Sequence, residues 1–331
     1  MKKILFAILI ILLVVGLFYL YLIFASQKKY PVEYGISFNK GHAEFIGLDW
    51  RETYLAMLKD LKPKYLRLAA TWREVENVRG KYDETDVAWQ MDQAQKNNVK
   101  VTLVVGQKAP RWPECHVPAW TDGLSDAEYK SALFAYIKDQ VELYRNHPAL
   151  EFWQVENEAF IKFKFGECQN FRNDFISEEI NLVRELDPDH PIIMTDSGEL
   201  STWRRAIKAG DIFGTTLYRI VRTPSGMIWT YDWLPAGFYR LKAQFWGKDI
   251  NEVFVSELQA EPWFSAGNPN TTSIEEQEKT MNLSRLEKHF DYVEIIGAPR
   301  AYLWGVEWWY WMKEKQGDNK YWEMVKTKIV K

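Results

Sequence analysis

Between residues 34 and 306 the chain alternates eight short strand-like runs with helix-sized segments, and this alternation limits its possible folds more than any other feature. The runs are residues 34–38, 64–69, 100–106, 151–157, 191–195, 212–218, 251–256 and 300–306. Three intervening helices have readable starts. Asp49-Trp50-Arg51-Glu52, Ser125-Asp126-Ala127-Glu128 and Thr272-Ser273-Ile274-Glu275 each set a short polar side chain three residues before a glutamate, the pattern of a capping box. After the second, Leu133, Ile137, Val141 and Tyr144 share one helical face. Eight strand–helix units make an α/β chain of the (β/α)8 TIM-barrel type. A doubly wound sheet is the rival, but no glycine-rich phosphate loop follows the first run. In such a barrel the residues at the C-terminal ends of the strands form the site.

Ahead of the barrel, Met1-Lys2-Lys3 leads into an uncharged apolar stretch over residues 4–25, about the span of a bilayer's hydrocarbon core. A cleaved signal peptide has a shorter apolar region and small residues at its cleavage site, whereas Ile23, Phe24 and Ala25 offer no A-x-A pattern. The reading is a retained transmembrane signal-anchor over residues 1–29 and a catalytic domain over 30–331, with cleavage and secretion as the alternative. Lys28 and Lys29 partly balance Lys2 and Lys3, so charge alone does not set the orientation. The chemistry of the strand ends favours an extracytoplasmic domain.

With 42 Lys plus Arg against 45 Asp plus Glu, the chain has no broad basic surface for a phosphate backbone, and nucleic acid is not an expected partner. The 16 tryptophans exceed what a core of this size needs, which suggests a surface that stacks on flat rings such as sugars.

The fourth run reads Phe152-Trp153-Gln154-Val155-Glu156-Asn157-Glu158, and a period of two puts Gln154, Glu156 and Glu158 on one face. The seventh reads Val253-Phe254-Val255-Ser256-Glu257, where the same count groups Val253, Val255 and Glu257. A single glutamate at a strand end is ordinarily a solvated or salt-bridged residue. Two at matching strand ends can flank a bond from opposite sides, as glycoside hydrolysis requires. The acid of such a pair needs a raised pKa, from an apolar wall of local Trp and Phe residues and a neighbouring charge such as Glu156. Arg67, among apolar residues in the second run, needs an acidic partner, and Glu257 fits. Tyr218, ending the sixth run, is placed to donate to the same carboxylate, and Asn157 to hold a sugar hydroxyl.

These residues carry a family resemblance. Trp153-Gln154-Val155-Glu156-Asn157-Glu158 resembles the strand-four Asn-Glu signature of clan A glycoside hydrolases, the retaining (β/α)8 enzymes. Ser256-Glu257-Leu258-Gln259-Ala260-Glu261-Pro262-Trp263 is similar to their strand-seven nucleophile segment. Leu66-Arg67-Leu68 through Trp72-Arg73-Glu74-Val75-Glu76 and Arg79-Gly80-Lys81-Tyr82-Asp83 resembles their strand-two region in the β-galactosidase-like and cellulase-like branches. Tyr218 and Leu303-Trp304-Gly305-Val306-Glu307-Trp308-Trp309 also fit. The resemblance implies that Glu158 is the acid/base and Glu257 the nucleophile. Arg67 and Tyr218 would orient Glu257, and Asn157 would bind the 2-hydroxyl. The third run ends in Val105-Gly106-Gln107-Lys108, without the histidine that many clan members have near there.

Trp72, Trp304 and Trp308 are the candidate sugar-stacking residues; Trp112, Trp120 and Trp263 also follow strand ends. Cys115 and Cys168 fall in the loops after the third and fourth runs, adjacent on one face, where they form either a disulfide or two free thiols. The five histidines, His42, His116, His147, His190 and His289, show no metal-ligand spacing, so no metal or cofactor is implied. Asn270-Thr271-Thr272 and Asn282-Leu283-Ser284 match the N-glycosylation sequon. The function expected is a membrane-anchored retaining β-glycosidase acting on an oligo- or polysaccharide. The alternative is an inactive glycan-binding protein on the same barrel.

Overall fold

The computed structural model describes residues 2–161, 166, 168, 171–223, 225–264 and 267–330; Met1 and Lys331, the outer limits of the two expected domains, lie outside them. Eight parallel strands close a barrel: β1 (Glu33–Ser37), β2 (Tyr65–Ala69), β3 (Lys100–Val105), β4 (Leu150–Val155), β5 (Ile192–Asp196), β6 (Ile212–Leu217), β9 (Val253–Gln259) and β10 (Arg300–Trp304). β7 (Ile220–Arg222) and β8 (Ile228–Thr230) form a separate antiparallel hairpin after β6. Their three-residue length kept them below what a hydrophobic pattern reveals. Helix Lys2–Phe24 is long and apolar enough to cross a membrane, a test that a signal sequence also passes.

The barrel strands are buried on both faces, as parallel strands covered by helices must be. Helix Asp126–Tyr144 shows how the sequence sets that cover. Ser125 and Glu128 cap it reciprocally, and Leu133, Ile137, Val141 and Tyr144 are buried against the core. The third expected cap lies one residue later: Ser273, not Thr272, accepts from the amide of Glu276. At the N-terminal face Arg300 donates to Glu151 (2.7 Å) and lies over the Tyr65 ring, closing the bottom of the barrel.

Three departures from a simple period of two decide where the chemistry-bearing side chains point. β4 stops at Val155 because Glu156 and Glu158 take left-handed backbone conformations (φ 60° and 44°), so the expected common face of Gln154, Glu156 and Glu158 does not exist. β9 carries a register shift: Thr215 pairs with Val255, but the next residue, Thr216, pairs with Glu257. This bulge puts Val255 and Glu257 on opposite faces, where strict alternation had grouped them. β10 ends at Trp304, since Gly305 (φ 142°) breaks the strand and helix Val306–Gln316 takes up Glu307 and Trp308.

Candidate active site

The residues singled out at the ends of β2, β4, β6 and β9 meet at the C-terminal mouth. Arg67 is buried, and all three guanidinium nitrogens donate. Nη1 donates to Glu257 Oε1 (2.8 Å), Nε to Gln154 Oε1 (2.8 Å) and Nη2 to Asn157 Oδ1 (2.7 Å). Tyr218, just past β6, donates its hydroxyl to the other Glu257 oxygen (2.7 Å) and packs edge-on to Trp263. Both Glu257 oxygens thus accept from a donor, one of them the Arg67 cation.

Glu158 sits in different surroundings. Its amide donates to Thr195 Oγ1 (2.9 Å), and Thr216 donates to its Oε1 (2.8 Å). Burial pushes its pKa from 4.5 up to about 8, with the Glu257 charge adding to the rise and Lys108 opposing it. The negative neighbours are Glu257 and Glu114, so the expected role of Glu156 in raising this pKa is not found. Glu156 turns instead toward the β3 loop, where the amides of Gln107 (2.8 Å) and Lys108 (2.5 Å) donate to its two oxygens. Gly106 makes that turn possible: a Cβ there would meet the Glu156 carboxyl at 2.6 Å, and its φ of 120° suits glycine.

Asn157 joins Arg67 to the β3 loop. Its Oδ1 takes the Arg67 donor, and its Nδ2 faces Glu114 Oε2 (3.4 Å). Burial raises the Glu114 pKa to about 7. Arg111, Glu114, Glu156 and Glu158 all have positive φ, a concentration of backbone strain around one opening.

A second ion cluster was not read from the sequence. Arg111 pairs with Glu261 and with Glu307 (2.7 Å), and its guanidinium lies 4.2 Å from the centre of the Trp304 ring. Trp304 donates to Glu261 (2.9 Å), and Glu307 accepts from the Asn39 amide (2.6 Å). Its sequence signal was charge inside apolar runs, at Glu261 beyond β9 and Glu307 beyond β10. A narrow cleft beside it is lined by Asn39, Arg67, Pro110, Arg111 and Trp304.

Of the three aromatics expected to stack on sugar, only Trp304 lines this cleft. Trp72 is fully buried, stacked on Tyr136 and donating to Glu76 (2.8 Å). Trp308 is buried in its helix against Tyr321, with its indole N–H on Gln277 (2.7 Å). Both lie on helices that begin just past a strand, which removes them from the mouth.

Cys115 and Cys168 form a disulfide that ties the β3 loop to the β4 loop over a separation of 53 residues. Closing a loop of that size constrains the unfolded chain by roughly 2–4 kcal/mol. The double Cys115→Ser/Cys168→Ser variant is expected to lose stability of that order in reversible denaturant unfolding, and an unchanged midpoint would show that the bond carries no such load.

No family model and no curated protein matches the sequence. Solved structures do match in fold. Native xylanase 10B from Thermotoga maritima is 16% identical, with 94% of this chain and 98% of that one covered at a TM-score of 0.57. A GH5_18 protein from Streptomyces cattleya in complex with GlcNAc is 12% identical, covering 84% and 71% at 0.55. A β-galactosidase from the psychrophilic Marinomonas ef1 is 14% identical, covering 82% of this chain but only 54% of its own length at 0.53. At these identities the likeness establishes the fold, and it is the barrel that the sequence resemblance implied.

Proposed function

We propose that this chain is a membrane-anchored retaining β-glycosidase whose domain, residues 30–331, works outside the membrane on an oligo- or polysaccharide. The observation that carries the reading is the asymmetry between two carboxyls at one barrel mouth. Glu257 is gripped by Arg67 and Tyr218, while burial and the Glu257 charge favour the protonated form of Glu158. A pair whose environments push the two protonation states apart can divide the work of acid and nucleophile. The three fold relatives are named as a xylanase, a GH5_18 protein and a β-galactosidase, which supports the same class.

The mechanism is double displacement. Glu257 attacks the anomeric carbon as Glu158 gives its proton to the departing oxygen, leaving a glycosyl ester on Glu257. Glu158, now ionised, takes a proton from water, which attacks the ester and frees both the sugar and Glu257. Asn157 holds the 2-hydroxyl, and Trp304 lines the sugar's path. A glycan-binding protein would not need an arginine and a tyrosine committed to one carboxylate.

This division sets the pH dependence. Glu158 must be protonated for the first step, so kcat/KM is expected to fall as the pH rises through about 8. Glu158→Gln should lose that basic limb on a glycoside with a good leaving group, which departs without acid help; persistence of the limb would assign it to another group. The same raised pKa links to stability. The contribution of protonated Glu158 is complete below about 4.5 and is lost as the pH rises through about 8.

A further inference from the structure

Contacts along the N-terminal segment fix where the apolar helix meets the barrel. The Tyr30 amide donates to the Glu294 carbonyl (2.8 Å), and the Tyr30 ring lies against Gly297. Both partners end helix Leu283–Ile296 or follow it directly, ahead of β10, so they mark the N-terminal face of the barrel. Further back along the chain, Leu22 and Ala25 pack on Gly237, and the Gly237 amide donates to Ser26 Oγ (2.7 Å). Further still, Tyr19 donates its hydroxyl to the Trp233 carbonyl (2.6 Å).

Trp233 belongs to the opposite face. The neighbouring Tyr231 amide donates to the Arg219 carbonyl (2.9 Å), and Arg219 lies just beyond the end of β6. Traced backwards, the chain climbs from the N-terminal face at Tyr30 to the C-terminal face at Tyr19. Residues 2–18, all exposed, continue past it.

Helix geometry then sets the depth. Apolar residues 4–24 rise about 31 Å at ~1.5 Å per residue, close to the ~30 Å hydrocarbon core of a bilayer. Residues 4–18 alone rise only about 22 Å, too little to span it. A spanning helix must therefore carry residues 19–24 to the lipid boundary, and Trp233 goes with Tyr19. Trp233 is 56% exposed, and the adjoining hairpin presents Trp229 (46%) and Met227 (58%). Exposed tryptophan and tyrosine beside an apolar helix suit the interfacial belt, where the ring is sheltered and its polar edge stays wet.

We propose that the segment at Trp233, with Trp229 and Met227 on the β7–β8 hairpin, is a membrane-docking element. It sits in the lipid interface and turns the mouth of the barrel toward the bilayer. This rests on the anchoring proposed above and is independent of catalysis.

The test uses the full chain in phosphatidylcholine vesicles, with Trp233→Cys carrying an environment-sensitive fluorophore. The Cys115–Cys168 disulfide leaves the new thiol as the target. Leu143→Cys serves as the distant control, exposed near the end of helix Asp126–Tyr144 on the N-terminal face. Lipids with a spin label high on the acyl chain should quench most of the emission at 233 and little at 143. Met227→Cys provides a second reporter if Trp233→Cys folds poorly. Equal, weak quenching at 227, 233 and 143 in protein that floats with the vesicles would overturn the docking. Protein that does not float with the vesicles would overturn the anchoring itself, and the docking with it.

Discussion

Glu257→Gly is expected to lose at least about 10⁴-fold in kcat, the scale on which removing a covalent nucleophile acts. Azide should then restore turnover of an activated β-glycoside by entering the space left by the carboxylate. Because azide would attack the face that Glu257 used, the product should be the α-glycosyl azide. Glu158→Gly should lose about 10²–10⁴-fold, the usual worth of general acid–base help. Its rescue product should be the β-glycosyl azide, because azide would replace water in the second step. NMR of the anomeric proton distinguishes the two. The same anomer from both variants, or rescue of neither, would contradict the assigned roles. Circular dichroism of each variant separates lost chemistry from lost fold.

The second large effect is structural. Arg67→Met removes the cation paired with the Glu257 carboxylate, strands Gln154 Oε1, and takes from Asn157 Oδ1 its shortest donor, leaving it those of Gln154 and Thr195. Breaking a buried ion pair by deleting one member costs roughly 3–5 kcal/mol, since the remaining charge stays buried. The variant should therefore unfold at markedly lower denaturant and be inactive. Arg67→Lys keeps the charge but not the planar fork that reaches all three acceptors, so it should fall between wild type and Arg67→Met in stability. If Arg67→Met unfolds at the wild-type midpoint, Arg67 is not what holds the mouth together.

The sequence showed the barrel because each strand is a short apolar run between helical patterns, a local property. It showed Arg67, Tyr218 and Glu257 for a related reason: a charged or hydroxyl group at the end of an apolar run needs a partner. What it did not show depends on backbone events without a strong sequence signature. The left-handed turns at Glu156 and Glu158 separate two glutamates that alternation had paired, and the bulge in β9 reverses the face of Glu257. The Arg111, Glu261 and Glu307 cluster draws on two loops and the first turn of helix Val306–Gln316 and so required the closed fold. Trp72 and Trp308 were misplaced for one physical reason: the strand ended and a helix began before the ring in question.

In the proposed mechanism Glu257 forms a covalent bond to the sugar. Intact mass spectrometry of the wild-type domain after exposure to activated 2-deoxy-2-fluoro-β-glycosides tests this most directly, because the fluorine slows release of the intermediate. The expected result is a mass increase of one fluorosugar, mapped to Glu257 by peptide sequencing and lost on turnover to an acceptor. Attachment to a different residue, or hydrolysis of the parent β-glycoside to the α-anomer with no adduct, would contradict it.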